Sequence, residues 1–416
     1  KFQDNSKIYH ADANYNLKDK IEFAEIQIGG SFRTYSLNSS GTIYTDNDGA
    51  INYSEVGMYT QAQKDFLDEK LKVTASVRYD KSELFDGFFS PRLSLGYTFG
   101  ENGNHNIRGS VQTGFRNPTT QDLFIGLNVG RAILVGGASN NPERYMDTYD
   151  LSAYGAGVLG SSTVNFDGTS AYNNSFFASS VIAFGESENP ADLKIANSDY
   201  AKPEQVTSLE IGYRGKINKM IVDFNTYYNS YDNFLSNETV IAPFYGTVGD
   251  NSLSLAAIAN GDYKVYQTYT NSSADVNSYG ASLGLSSKVF GNYELGMNYT
   301  YSKLDFDQKK NPDFATNFNT PEHKVKGTFG NSEVVKNVGF NLAWRWSGSY
   351  IWEASFGNGV VPEFHVMDAQ VNFKVPDLKS EIKVGATNLF GNEYFTAFGT
   401  GYLGSQYYVS WVVNNF

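Results

Sequence analysis

One pattern constrains this chain more than any other. Apolar and polar residues alternate with a period of two over about fifteen separate segments, and the connections between them are short and long by turns. The clearest segment is 71–80. Leu71, Val73, Ala75, Val77 and Tyr79 share one face, while Lys72, Thr74, Ser76, Arg78 and Asp80 share the other. Leu93, Leu95, Tyr97 and Phe99 likewise oppose Arg92, Ser94, Gly96 and Thr98. Near the end, Ile382, Val384 and Ala386 oppose Glu381, Lys383, Gly385 and Thr387, and a last amphipathic segment carries Tyr407, Tyr408, Trp411 and the terminal Phe416. Period-two alternation marks a strand with one apolar face. A soluble sandwich and a membrane barrel both use such strands.

The connections separate the two. Several segments reach about ten residues or more, the length of a tilted membrane-spanning strand. Tight turns at 18–20, 68–70, 217–219 and 376–379 alternate with long connections, the largest at about 117–204 and 233–274. The first of these, roughly 85 residues, far exceeds an ordinary loop. It holds Leu123, Phe124, Ile125, Tyr154 and Tyr172 among its charges, so it is expected to fold, with some helix or small strands. If the last strand ends in the periplasm, every short turn falls on that side and every long loop outside, as outer-membrane barrels require. A sandwich has no reason to sort its loops. A bulge is expected near Gly29-Gly30. The odd strand count and the direction of the first strand imply an odd number of further strands. Adding about seven gives about 22, the size of a plugged transporter. The expected fold is therefore all-β: a transmembrane antiparallel β-barrel with about 15 of about 22 strands, residues 1–416 being its C-terminal portion, with no plug domain in this sequence.

Composition closes other routes. No apolar run is long enough for a transmembrane helix. The mean hydropathy of −0.39 does not exclude a barrel, because only alternate residues meet lipid. A net charge of −12 argues against nucleic acid as a partner. The absence of Cys removes thiolate catalysis, disulfides and Cys-type zinc sites. The four histidines, His10, His105, His323 and His365, show no metal-ligand spacing, and no nucleophile elbow is present, so neither a metal, a cofactor nor an enzymatic reaction is expected. Asp46-Asn47-Asp48-Gly49 resembles the start of a calcium loop but lacks the Glu at its twelfth position, and reads as a plain turn.

Four motifs, in order, resemble the C-terminal barrel of a TonB-dependent receptor: 90–97 (SPRLSLGY), 108–118 (RGSVQTGFRNP), 202–213 (KPEQVTSLEIGY) and 387–394 (TNLFGNEY). Gly57 to Gln63 and Leu71 to Asp80 are similar to Bacteroidota receptors. The resemblance runs over nearly the whole chain. It implies import of a bulky nutrient across the bacterial outer membrane, with ligand captured by extracellular loops and the C-terminus in the periplasm. It also implies the TonB–ExbB–ExbD energising complex and outer-membrane lipid as partners, with a surface lipoprotein or other envelope proteins as further ones. The family's plug and TonB box are not seen here, so energy coupling rests on the resemblance alone. Two other roles stay open: a structural or accessory subunit of a larger outer-membrane complex, and a passive porin.

Two sets of residues are candidates for the site. Arg78, Arg92, Arg108, Arg116 and Arg345 lie on the polar phase, which faces the lumen of a barrel. They either line a solvated channel or pair with plug carboxylates. Loop aromatics Tyr145, Tyr149, Phe176, Phe177, Tyr245, Trp352, Phe395 and Phe398 have no lipid to meet and either pack the loops or present a ligand surface. Trp344, Trp346, Tyr299, Tyr301 and Trp411, on the apolar phase, read as an interfacial girdle.

Overall fold

The computed structural model describes residues 2–250 and 252–413, so the expectation for Phe416 lies outside the described residues. The alternating segments become one antiparallel sheet of 15 strands, each paired with its neighbours in chain order. These are β1 (Lys7–Asn16), β2 (Glu25–Leu37), β3 (Ile51–Phe66), β4 (Leu71–Ser82), β5 (Phe88–Phe99), β6 (His105–Arg116), β7 (Glu204–Ile217) and β8 (Met220–Asp232). They continue as β9 (Val276–Val289), β10 (Tyr293–Asp305), β11 (His323–Val335), β12 (Val338–Ser347), β13 (Phe364–Val375), β14 (Ser380–Thr387) and β15 (Gln406–Val413). The path is an uninterrupted meander, so successive connections fall on opposite edges of the sheet. On one edge the connections are two to eight residues long; on the other, six of the seven run to thirteen residues or more, the exception being the five residues 83–87 between β4 and β5. Two-residue turns at Asn218-Lys219 and Lys336-Asn337 are made possible by Asn in the left-handed region, with φ of 55° and 65°.

Register fixes what each face carries. Leu93, Val111, Leu209 and Tyr228 are successive cross-strand neighbours on one face, all more than 40% exposed. One residue along, Ser94, Ser110, Glu210 and Tyr227 are neighbours on the other. The apolar face has no protein covering it, and a chain folded in water would not leave such a band bare. Lipid is the medium that satisfies it. Tyr299, Tyr301, Trp344 and Trp346 sit on this face toward the long-loop edge, and Trp411 pairs with Ile382 on it. Toward the short-turn edge Tyr293 stacks on Phe329, with ring centroids 5.5 Å apart. Within the described residues β1 and β15 each have a single partner and the sheet is open.

The bulge expected at Gly29-Gly30 is absent. Both residues keep unbroken register with β1 and β3. The glycines instead make room: a Cβ on Gly29 would lie 2.4 Å from the Tyr59 ring.

The best-buried hydrophobic residues are in the loops. The two longest connections fold together into six strands of a second, seven-stranded sheet, and the connection between β10 and β11 adds the seventh, Phe314–Ala315. Its central strands, Leu235–Pro243 and Tyr263–Asn271, are antiparallel, and the latter pairs in parallel with Ile133–Val135. Short helices pack around it: α1 (Thr120–Phe124), α2 (Ala153–Leu159), α3 (Thr169–Asn173), α4 (Ala178–Ser187) and α5 (Leu253–Ala259). Ile133, Val135, Tyr172, Val240 and Tyr266 form its core and are at most 2% exposed. A further cluster, with Leu37 and Tyr53 from the barrel strands against Leu123, Phe124 and Leu235, roots this cap on the long-loop edge.

Candidate ligand-capture surface

The polar face and the long-loop edge meet at the mouth of the sheet. All five arginines singled out from the sequence lie on that face. Four are already bonded to carboxylates of the wall itself. Arg78 makes a bidentate contact with Asp80, at 2.7 and 2.6 Å, and also donates to Ser31 Oγ. Arg108 reaches Asp223 at 3.4 Å, and Arg116 holds Glu204 at 2.9 Å while donating to the Leu235 carbonyl of the cap. Arg345 contacts Asp368 at 3.0 Å. Arg92 makes no ion pair among the described residues; Ser76 and Gln112 are its cross-strand neighbours. Because these guanidinium groups are half exposed, each pair stabilises the wall only weakly. Their value is in fixing where the charges point.

Sequence reading missed Arg33, Lys324 and Lys326, although the same alternation puts them on the polar face. Arg33 donates to Tyr35 Oη at 3.1 Å, and Tyr35 donates on to Glu55 at 3.2 Å. Asn117, at the start of the longest loop, also donates to Glu55, at 2.9 Å. These residues line a cavity of about 440 Å³ beside β2–β4 whose charges are already paired with one another.

The loop aromatics divide. Phe176 and Tyr245 are 2% and 6% exposed, and Tyr145, Tyr149 and Phe177 pack against the cap core half-buried. Tyr149 stacks on Phe244, with centroids 5.0 Å apart. Burial pushes the Tyr145 phenol up to about 12 and raises Tyr149 and Tyr245 as well. Trp352, Phe395 and Phe398 belong instead to the connections after β12 and β14. Trp352 sits in a small hairpin with Tyr350. Phe398 stacks on Phe356, which is 57% exposed, and Phe395 meets the exposed Tyr402 edge-on.

Carboxylates latch the loops to one another. Asp262, 2% exposed, accepts from Ser152 N–H at 2.7 Å, Ser152 Oγ at 2.6 Å and Tyr245 Oη at 2.7 Å, and so holds from another loop the Ser152 whose Oγ caps α2 through Gly155 N–H. Burial raises its carboxyl, but these bonds outweigh burial and hold it below the usual range. Asp313 caps α4 through Ser179 N–H at 2.7 Å. Glu353 accepts from Asn317 N–H at 2.7 Å and Thr316 Oγ1 at 3.0 Å, tying two further loops. Asp46 likewise accepts from the backbone N–H groups of Ser39, Ser40 and Gly41, the partners of a tight turn and not those of a bound cation.

The family described as TonB dependent receptor-like, beta-barrel, matches residues 2–389. A search of curated proteins finds no match. Among solved structures, the siderophore receptor PirA from Acinetobacter baumannii has a TM-score of 0.59 and 14% identity, covering 98% of this chain and 54% of its own. A mutant of the ferric enterobactin receptor PfeA from Pseudomonas aeruginosa has a TM-score of 0.61 and 13% identity, covering 98% and 53%. The FrpB iron transporter from Neisseria meningitidis gives 0.58 and 13%, covering 98% and 55%. The chain spans about half the length of these structures. At such identities the likeness concerns the fold.

Proposed function

This chain belongs to the TonB-dependent receptor-like β-barrel family, and from that premise we propose that it forms the C-terminal wall of a plugged outer-membrane importer of a bulky nutrient. The family is one of transport receptors. The observation that carries the reading is the sorting of connections. Six connections of thirteen residues or more, including those that build the folded cap, share one edge with a single five-residue link, and no connection on the other edge exceeds eight residues. Such a wall presents a large structured surface to one side of the membrane and almost nothing to the other.

In this reading the long-loop edge faces the outside and the C-terminus the periplasm. Further strands, about seven in number, join the open edges β1 and β15 into a closed barrel of about 22. The TonB–ExbB–ExbD complex drives movement of a plug. Trp352, Phe395 and Phe398 make first contact with ligand, while Tyr145, Tyr149, Phe176, Phe177 and Tyr245 hold the cap that frames the mouth. The arginines present charge to the lumen, with Arg92 free to meet a plug or ligand carboxylate. The siderophore receptors it resembles in fold make an iron chelate one candidate cargo.

The test works on a cargo of any identity. Cells with and without the full-length gene are grown in one medium, and the loss of each medium component is followed by mass spectrometry. A component depleted only when both the gene and the energising complex are intact supports the reading. Depletion that is indifferent to the energising complex would make the protein a passive pore.

A further inference from the structure

The long loops carry about half of the chain's 44 acidic side chains but fewer than a quarter of its 32 basic ones. The mouth is thus acidic as a whole. One cavity on it has the opposite sign. It measures about 520 Å³ and lies where β10–β13 reach the long-loop edge. Lys324, Lys326 and Arg345 form its cationic wall. Lys326 and Arg345 are directly opposed across β11 and β12, and Lys324 is two residues along on the same face. Like charges so placed repel one another, and the one ion pair of the group, Arg345 with Asp368, accounts for neither lysine. Among the described residues Asp368 is the one carboxylate paired with the group, and it is shared with the Asn388 N–H. Neither lysine has an ion pair there, and the Arg345 Nε is enclosed without a hydrogen-bond partner. Nearby Glu353 is engaged with Asn317 and Thr316.

The rest of the lining is rich in aromatic rings. Tyr350, Trp352 and Phe364 line the same cavity, with Tyr350 and Trp352 rings 6.5 Å apart and Phe364 backed by Tyr394 at 4.7 Å. Three cations and three aromatic rings lining one space of ordinary ligand size suit one chemistry. The geometry points to a binding subsite for a ligand that carries two or more negative charges beside a flat aromatic face. The subsite rests on the importer reading for its place in a pathway, but not for its chemistry. It lies at the loop edge: Lys324 and Lys326 are near the start of β11, and Arg345 is near the end of β12. A molecule arriving over the loops meets it before anything deeper. The cavity beside β2–β4, by contrast, has its arginines already paired with Glu55 and Asp80.

The test uses the full-length receptor in detergent and pyranine, a planar trisulfonated pyrene, followed by fluorescence anisotropy. The wild type binds the dye, and binding weakens as salt is raised. The Lys324→Gln/Lys326→Gln double variant raises Kd about tenfold or more, and Trp352→Ala raises it as well. Lys324→Arg/Lys326→Arg retains binding, which separates loss of charge from loss of fold, and Lys219→Gln at the opposite edge leaves Kd unchanged. No binding by the wild type overturns the proposal. So does an unchanged Kd in the charge-removing variant, including the case where that variant loosens a plug. Dye binding needs no energised membrane. If it behaves as stated while cargo depletion is indifferent to the energising complex, the importer reading falls and the subsite stands.

Discussion

Replacing Asp262 with Ala will release α2 from the cap while leaving the barrel wall intact. The carboxylate accepts three hydrogen bonds from two loops, at 2.6 to 2.7 Å. A hydrogen bond to a charged group contributes about 1.5–3 kcal/mol, but three on one carboxylate do not add fully. Truncation also leaves the Ser152 N–H and the Tyr245 hydroxyl without an acceptor in a buried place. A local loss of about 3 kcal/mol is the expected scale, roughly a hundredfold in the opening equilibrium. Hydrogen exchange followed by mass spectrometry on the full-length protein reads this directly. Amides of 153–159 should exchange about a hundredfold faster, while those of β4 should not change. Unaltered protection in α2 would refute the reasoning, and so would loss of protection in β4 alongside it. The same group sets a pH limit. Its folded carboxyl lies below the ordinary value, so its contribution is complete above the unfolded pKa of about 4 and is lost as pH falls through the folded value. Near-ultraviolet circular dichroism of the cap tyrosines should show an acid transition in the wild type that Asp262→Asn lacks.

Three further outcomes follow from the wall and the latches. Leu209→Arg, in the middle of the apolar face, should cost about 2–4 kcal/mol of folding stability in lipid vesicles, whereas Gln61→Arg on the polar face should cost little; equal losses in urea titrations would deny the two-faced wall. Gly29→Val places atoms where the Tyr59 ring lies and should cost about 1–3 kcal/mol, with Tyr59→Ala in the same chain recovering part of it. A double variant no more stable than Gly29→Val alone would contradict that packing. Asp313→Ala removes the cap of α4, so chymotrypsin should cut after Phe184 faster than in the wild type; an unchanged rate would mean the latch does not hold the helix.

The wall was legible because each strand meets two media, and alternate residues record which one. Val73 and Thr74 are adjacent in the chain but face opposite surroundings, and that difference survives in the sequence whatever their neighbours are. The cap was legible only as something folded. Its strands are short and buried on both faces, and the parallel pairing of Tyr266 with Ile133 joins segments more than a hundred residues apart. No local period encodes that. The arginines were placed on the correct phase, yet their partners were not foreseen. Glu204 and Asp368 lie on the neighbouring strand, whereas Asp223 lies two strands from Arg108, which reaches it across Gly212; register decides which carboxylate each guanidinium meets. Gly29-Gly30 misled because a glycine pair serves a bulge and a crowded flat strand equally well; only the Tyr59 ring shows which. Lys324, Lys326 and Trp352 come from a strand and a loop that the sequence alone does not bring to one cavity.

The sidedness of the wall is the claim on which the rest depends. These 416 residues hold no Cys, so once any Cys elsewhere in the full-length receptor is replaced by Ser, single cysteines can be introduced and read without background. Ser187→Cys lies in the cap and Asn218→Cys in a short turn, both exposed. Intact cells carrying the full-length receptor are treated with a membrane-impermeant maleimide, then lysed and treated again. Ser187→Cys should label in intact cells, and Asn218→Cys only after lysis. Labelling of both positions before lysis, or of Asn218→Cys alone, would contradict that sidedness.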